Sequence, residues 1–275
     1  MFTSNPFADL SASIPTAYMQ GYIVVMFLLV MGGTILDMIH KKSAQYFFEN
    51  AKKAQKSAKR SVDSGEKVAI ATSVLVKEVL TSGEFSNPRR RLSHLLTMWG
   101  TIIFIVTTAI MIFSPAANIS SMVPTLWHIG ALMLAVGGYW FWFAIRVDVS
   151  AEGLPWFRFE RADLFILSLL ATATFALIWS FTGGGVNILF VLFILSSTVL
   201  FGGVYWSKFA HMFFKPAAAF QKRVIMADGG RENLPPDYDL TDPEVQRKFP
   251  DVPMYMGKNP PNMGLCIKAE RAKHY

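Results

Sequence analysis

The chain has very little cysteine and no familiar catalytic motif. Cys266 is the single cysteine among 275 residues. A disulfide framework within the chain is therefore excluded, as are a cysteine-ligated iron–sulfur cluster and a four-cysteine zinc site built from this chain alone. A glycine-rich phosphate loop after a strand, a zinc motif and a nucleophile motif are missing as well. The sequence therefore assigns no catalytic step to this chain itself.

Apolar residues, by contrast, are abundant. Hydrophobic residues make up 52% of the chain and aromatic residues 14%, whereas charged residues make up 16%. Five apolar runs have the length of about 18 to 25 residues that a bilayer-spanning helix needs. They are Ala17–Ile39, Leu95–Phe113, Thr125–Ile145, Leu164–Phe181 and Ile188–Phe209. The sequence predicts an all-α integral membrane protein with five transmembrane helices, of which the first is a retained helix and not a signal peptide.

Positive charge is missing from one side of this predicted bundle. Residues 114–124 and 182–187 carry no charge, and residues 1–16 carry only Asp9. All 26 Lys and Arg residues fall on the opposite side. Since cytoplasmic loops are enriched in Lys and Arg, we expect the N-terminus outside and the C-terminus in the cytoplasm, at the inner membrane. The net charge of +7 is then a topology signal, aided by attraction to anionic lipid, and nucleic acid is not an expected partner.

The chain divides into four predicted parts. Residues 1–40 are an outer N-terminus and the first span, 41–91 a basic cytoplasmic loop, 92–214 the other four spans, and 215–275 a cytoplasmic arm. The basic loop has twelve Lys or Arg residues against five acids. It is predicted to be helical at residues 41–62 and, beyond a break at Ser64-Gly65, to form an amphipathic helix at 66–82, lying on the membrane or on a partner.

The arm is rich in proline. Its prolines include Pro235, Pro236, Pro243, Pro250, Pro253, Pro260 and Pro261. They exclude a long helix and predict an irregular segment. Aromatic and Met residues are interspersed among these prolines. A disordered tail and an extended arm that wraps a soluble partner both fit this composition, and the aromatic and Met residues favour the arm.

The second predicted span opens with an arginine cluster and a histidine. The residues 89–91 are arginines that mark a membrane surface, and His94 follows within one turn. Thr97, Thr101 and Thr108 recur on the His94 side of the helix. A membrane helix keeps its polar residues toward protein or a cavity. His94 is therefore predicted to face inward, where it meets a partner or a cofactor.

Histidines at the cytoplasmic ends of three spans form the candidate site. A b-type haem in a helical bundle needs two imidazoles at similar depth on facing helices, and His94 and His211 meet this condition if the fifth helix continues past residue 208. Both are predicted haem-iron ligands. Asp37 and His40 are predicted to bind a quinone or to support a ligand histidine, because a carboxylate near the membrane core is costly. No second histidine is predicted at the depth of His128 on a facing helix, so one haem is the expected maximum. Interfacial histidines without a ligand are the alternative.

Several short motifs suggest a family. They are Gly32-Gly33-Thr-Ile-Leu-Asp37-Met-Ile-His40-Lys-Lys-Ser43, the Ala/Lys-rich loop, Arg90-Arg91-Leu-Ser-His94, and the ending Lys273-His-Tyr275. With the five-span layout, they resemble membrane subunits of the respiratory nitrate reductase gamma type, a group that includes quinone-interacting cytochrome b subunits. Within that group the chain looks most like the membrane anchor of dissimilatory adenylylsulfate (APS) reductase.

The resemblance implies a function that the residues alone do not. It implies a soluble flavin and iron–sulfur APS reductase docked on the cytoplasmic face, with electrons passed from sulfite and AMP oxidation to quinone. Members of the group often bind a second, outer haem, but this chain lacks the second histidine pair. The alternatives are a membrane subunit of another soluble oxidoreductase, a structural anchor without haem, and a transporter. A transporter would show repeats or broken helices with midplane charges, which we do not find.

Overall fold

The chain is helical throughout the part that the structure, a computed structural model, describes. The described residues are 2–85, 87–148, 153–207, 211–230, 232 and 243–248. Their helices are α1 (Thr16–His40), α2 (Ser43–Ser57), α3 (Ser64–Ser73), α4 (Pro88–Phe113), α5 (Met122–Trp140), α6 (Leu164–Phe181), α7 (Ile188–Gly202), α8 (His211–Ala227) and α9 (Pro243–Lys248). Turns of π-helix continue α3 through Val74–Leu80 and α5 through Phe141–Ile145. The predicted all-α class is confirmed for these residues. The basic loop has two helices, as predicted, but the break between them lies at residues 58–63 and not at Ser64-Gly65, with which α3 begins.

Four helical segments in the described residues are long and apolar enough to cross a membrane. They are Thr16–His40, Pro88–Phe113, Met122–Ile145 and Arg161–Phe181. They correspond to the first four predicted spans and make this a multi-pass membrane protein. Helix α7, the fifth apolar run, has 15 residues. At about 1.5 Å per residue it is about 22 Å long, against a hydrocarbon core of about 30 Å.

Helix α7 ends earlier than the sequence predicts. It stops at Gly202, Val204–Trp206 form a single 3-10 turn, and the next helix begins at His211. The expectation that the fifth span continues as one helix to carry His211 is therefore wrong. The adjacent Gly202 and Gly203 explain the break, since glycine in a helix interior costs about 1 kcal/mol relative to alanine.

The α4/α5 pair is the tightest contact of the bundle because small residues face each other. A Cβ atom on Gly100 would lie 2.8 Å from the carbonyl oxygen of Gly130. A Cβ atom on Gly137 would lie 2.8 Å from the Ser93 carbonyl oxygen, and the Ser93 hydroxyl donates to the Gly137 carbonyl at 2.8 Å. Small residues of this kind let membrane helices approach closely.

The N-terminal segment packs on the end of the bundle that carries the uncharged loops. Phe7 contacts the rings of Trp127 and Trp179 edge-on, with centroids 5.9 and 5.2 Å apart, and Leu10 is fully buried. The side-chain amide of Gln20 donates to the Ile112 carbonyl at 3.2 Å. The N-terminal segment and the ends of α4, α5 and α6 thus share one apolar core. We call this the uncharged end of the bundle.

The connection between α5 and α6, at the opposite, charged end, is fixed by a buried arginine. Arg146 is 0% exposed, and its guanidinium lies 2.5 Å from Asp163 Oδ2. It also donates to the carbonyls of Pro155 and Arg158, at 2.7 and 2.8 Å, and lies over the Trp142 ring at 4.3 Å. One side chain therefore organises the described part of this loop, including the short turn Arg161–Asp163 that leads into α6.

Residues 50–71 and the described residues from 220 onward form a second compact unit, which we call the basic unit. The backbone amides of Lys59 and Arg60 donate to the Asp228 carbonyl at 3.0 and 3.1 Å. The Arg60 Nε donates to the Ala227 carbonyl at 2.7 Å. Ala54, Val62 and Ile225 are its buried apolar residues. The middle part of the loop between the first two spans, residues 50–71, is thus joined to the start of the tail.

The tail begins with a helix where the sequence predicted an irregular arm from residue 215. Helix α8 runs from His211 to Ala227 with Pro216 inside it. Pro216 lies near the start of the helix and removes one backbone donor, and no proline follows until Pro235. A regular helix is therefore possible there. The proline-rich remainder lies outside the described residues, except for α9.

Candidate functional site

The last turn of α1 carries a carboxylate, an imidazole and an ammonium group. The amide of Lys41 donates to the Asp37 carbonyl at 3.0 Å, and the helix ends because Lys42 takes a φ of 53°. Against this turn lies the segment Val204–Trp206. A Cβ atom on Gly33 would lie 2.9 Å from the Val204 Cβ, so this glycine allows the close approach. The early end of α7 therefore places Val204–Trp206 against α1.

Asp37 is the buried charged group of this turn. Its side chain is 2% exposed, and the Lys41 Nζ lies 2.5 Å from its Oδ1 atom. The contact is an ion pair without aligned hydrogen-bond geometry, because no partner of this oxygen in the described residues meets that geometry. A buried carboxylate without full hydrogen bonding is costly, and near a membrane it indicates function.

Two adjoining cavities open at this turn. The first has a volume of 580 Å³ and is almost wholly apolar. It is lined by Leu28, Leu29, Gly32, Gly33, Leu36, Ile39, His40, Gly202, Tyr205 and Trp206. The side chains of Leu28, Leu36 and Ile39 are 57, 58 and 68% exposed, so this cavity opens on the outward apolar face of α1.

The second cavity has a mixed polar and apolar lining and a volume of 360 Å³, and we call it the polar cavity because charged side chains reach it. It is lined by Asp37, His40, Lys41, Arg161, Ala162, Tyr205, Trp206 and Ser207. His40, Tyr205 and Trp206 line both cavities, with the His40 and Tyr205 rings edge-on at 5.7 Å. An apolar slot that leads to a few polar groups suits an amphipathic ligand with a long apolar tail and a small polar head. Asp37 and His40, the predicted quinone residues, are brought together here.

His94 is held by the segment that precedes α4. Its Nδ1 lies 2.8 Å from the Ser82 hydroxyl, and the Phe85 ring lies 4.9 Å from its own. Ser82 is buried with a φ of 49°, and Arg91 Nε donates to the neighbouring Thr81 carbonyl at 2.8 Å. A histidine that ligates a metal through Nε2 has its Nδ1 held in this way. The Ser82 hydroxyl thus orients the His94 ring, and ligation of haem iron by His94 stays a prediction.

His211 is the first residue of α8, and its side chain lies outside the described residues. The pairing of His94 with His211 therefore stays a prediction, although the continuous fifth helix on which it was based is absent. Neither histidine lines the two cavities at α1. Within the described part of the chain, no three His, Cys, Asp or Glu residues group as a metal site.

His128 and the threonines of α4 satisfy their polar atoms within the bundle. His128 is fully buried, its Nδ1 donates to the Pro124 carbonyl at 2.7 Å, and its Nε2 accepts from the Ser180 hydroxyl at 2.7 Å. This tautomer follows because a carbonyl only accepts. The hydroxyls of Thr97 and Thr101 donate to carbonyls one turn earlier. These side chains need no cofactor to complete them.

The sequence argument missed Tyr205, Trp206 and Arg161, which complete the cavities. Tyr and Trp concentrate where a span meets water, so Tyr205-Trp206 near the end of an apolar run carried a signal. No sequence pattern pointed to Arg161, because its position depends on the contacts of Arg146. No known protein family, curated protein or solved structure matches the chain.

Proposed function

We propose that this protein is a membrane anchor and electron-transfer subunit that links a soluble APS reductase to the quinone pool. The pair of cavities at Asp37 and His40 is the observation that carries the proposal. Oxidation of sulfite and AMP to adenylylsulfate releases two electrons, and reduction of a quinone to a quinol consumes two electrons and two protons. The sulfur chemistry belongs to the soluble partner, since this chain has no residues for it.

The cavities fit the two parts of a quinone. The isoprenoid tail would lie in the apolar cavity and leave the protein between Leu28 and Ile39, on the outward face of α1. The head would lie at His40 and Tyr205, where both cavities meet. The His40 imidazole can donate to a quinone carbonyl, and the Asp37 carboxylate can accept from a quinol hydroxyl.

One haem b, ligated by His94 and His211, is part of the proposal. The haem would supply one-electron transfer between the soluble partner and the quinone. The chain's own contribution is the orientation of the His94 ring by the Ser82 hydroxyl, 2.8 Å away. A structural anchor without haem, in which the quinone contact is made at Asp37 and His40 alone, is the alternative.

The proposed topology has five spans, with the N-terminus outside and the C-terminus in the cytoplasm. Helix α7 is the fifth span, completed by residues 203–207. The one-sided Lys and Arg distribution supports this orientation. It is also supported by the packing of the N-terminal segment at the same end of the bundle as the uncharged loops.

The basic unit is the proposed docking surface for the soluble partner. Its residues 50–71 and 220–230 contain eight exposed Lys and Arg side chains and three acids. The cations are Lys52, Lys53, Lys56, Lys59, Arg60, Lys67, Lys222 and Arg223. Val68 and Met226 are exposed as well, but the charged part of the described surface is mainly cationic. Such a surface attracts an acidic protein and suppresses other partners by charge.

Gly32→Leu tests the cavity. Gly32 lines the apolar cavity, and a Cβ atom built there meets nothing within 4 Å, so the new side chain enters the cavity without disturbing the protein. We expect sulfite- and AMP-dependent reduction of a short-chain quinone by the membrane complex to fall at least about tenfold, equivalent to about 1.4 kcal/mol of lost binding. The apparent KM for quinone should rise.

Gly21→Leu is the matched control. Gly21 lies on the same helix, has equally open space around its Cβ position and lines neither cavity. Equal rates in the two variants would reject the quinone site. A complex that reduces quinone with another electron donor, but not with sulfite and AMP, would identify a different soluble oxidoreductase as the partner.

A further inference from the structure

We infer that Asp37 and Lys41 conduct protons from water to a quinone that is reduced in the α1 cavities. The inference rests on the proposed function and adds to it a route for protons. Each reduced quinone must gain two protons, one on each oxygen. The lining of the apolar cavity is aliphatic and aromatic apart from His40 and Tyr205, and both of these residues also line the polar cavity. The protons must therefore come through the polar cavity.

The Asp37–Lys41 pair connects the cavity to water. The side chain of Lys41 is 56% exposed, whereas that of Asp37 is 2% exposed. Their charged atoms lie 2.5 Å apart, close enough for a proton to pass between them once the two groups align. One member of the pair thus touches solvent, and the other lies in the wall of the cavity that adjoins the proposed quinone head.

Asp37 is the carboxylate among the charged groups that line the polar cavity. The charged or titratable groups that face this cavity are His40 and Lys41 on α1, Arg161 on the turn before α6, and Tyr205 after α7. Arg161 is not deprotonated in proteins and cannot pass a proton on. Among the described residues that line this cavity, Asp37 supplies the only carboxylate.

The helix dipole does not account for Asp37, and its (i, i+4) pair with Lys41 stabilises a helix only slightly. Negative charge is unfavourable in the last turn of a helix, where the helix dipole already presents its negative end. Asp37 lies in this turn of α1 and is buried as well. An asparagine would fit the same space at a lower cost. A carboxylate held against both the dipole and desolvation indicates a chemical task.

The proposed transfer balances for each proton. The soluble partner's iron–sulfur and flavin groups supply the electrons, in total two for each quinone. The Asp37 carboxylate takes a proton from the Lys41 ammonium group, so that a Lys41 N–H bond breaks as an Asp37 O–H bond forms. This O–H bond then breaks as an O–H bond forms on the reduced quinone oxygen. Lys41 takes its replacement from water, and the cycle runs twice for each quinol formed.

Asp37→Asn in the membrane complex tests this route. The substitution keeps the shape of the side chain but removes its transferable proton. At saturating quinone we expect kcat to fall about a hundredfold, within the usual contribution of a general acid, with KM changed less than about twofold. Added formate or azide should restore part of the rate, because a small weak acid in the cavity replaces the missing group. Asp37→Glu should retain most of the rate.

Lys41→Gln and Lys42→Gln form the second comparison. Lys42 is also exposed but lines neither cavity. We expect Lys41→Gln to be slower than Lys42→Gln. Wild-type kcat in Asp37→Asn, or a loss that no weak acid rescues, would overturn the inference. If Asp37→Asn does not fold, equal rates in Lys41→Gln and Lys42→Gln would overturn it. Failure of Gly32→Leu to inhibit would instead reject the quinone site itself.

Discussion

Arg146 shows how one buried charge can order a loop next to a membrane. Its guanidinium has no exposed surface, so its desolvation must be offset by Asp163, by the carbonyls around it and by the Trp142 ring. These acceptors come from both sides of the α5–α6 connection. The arginine therefore fixes the position of Arg161 in the wall of the polar cavity.

Loss of this arginine should destabilise the protein strongly. Arg146→Ala leaves the Asp163 carboxylate buried without its partner, which costs about 3 to 5 kcal/mol. Arg158→Ala is the control, because the Arg158–Glu160 pair is 3.4 Å apart with the arginine 63% exposed, and exposed pairs contribute about 0 to 1 kcal/mol. Thermal unfolding of the detergent-solubilised protein measures both. A similar melting temperature for the two variants would contradict this account.

At the scale of elements, the basic unit joins two segments that are far apart in the chain. Lys59 and Arg60 bond to Ala227 and Asp228, with Gly229 beyond them at a φ of 75° that favours glycine. Arg60 also forms a bidentate pair with Glu66, at 2.8 and 2.6 Å. The arginine thus connects the start of α3 with the end of α8.

The pairing makes the stability of this unit depend on pH. The hydrogen bonds from Arg60 lower the pKa of Glu66 below its ordinary value. A lowered acidic pKa contributes stability that is fully present above the unfolded value, about 4.3, and is lost as the pH falls through the lower folded value. Amide exchange at residues 59 and 60 should therefore show constant protection factors from about pH 8 to pH 5 and decreasing ones below about pH 4.

Arg60→Gln provides the control for this prediction. Without the guanidinium, the Glu66 pKa has no cause to be lowered, so the acid-dependent loss of protection should become smaller. An unchanged acid transition in this variant would mean that other groups control it. The variant also removes the bond to Ala227, and its protection should be lower at every pH.

At the scale of the whole molecule, the role of α7 decides the topology. If α7 crosses the membrane, the loop at Gly184 and the tail beyond residue 230 lie on opposite sides. If it does not cross, they lie on the same side. Reporter fusions at these two positions distinguish the cases, and we expect the first reporter outside and the second in the cytoplasm. Two reporters on one side would leave four spans.

Patterns in the sequence predicted the apolar helices, because burial in lipid requires long apolar runs. The end of α7 at Gly202 was also within reach, since paired glycines disfavour a helix. The contacts of Arg146 and the contact of Arg60 with Ala227 could not be predicted from the sequence, because they join residues whose proximity depends on the complete fold. The same holds for the cavities. Asp37 was singled out because a carboxylate near the membrane core is costly, and His40 because it lies at the same depth as His94 and His211. Tyr205 comes close to them only because of the turn after α7.

The burial of Leu10 and Phe7 has a consequence for biogenesis. Their partners Trp127 and Trp179 are synthesised much later, so Phe7 and Leu10 reach their final contacts only after most of the bundle has been made. Helix α1 is synthesised before the helices that it packs against, and even in the finished fold only 11% of its span is buried. A bulky fusion at the N-terminus would keep this segment from its place, so purification tags belong at the other end of the chain.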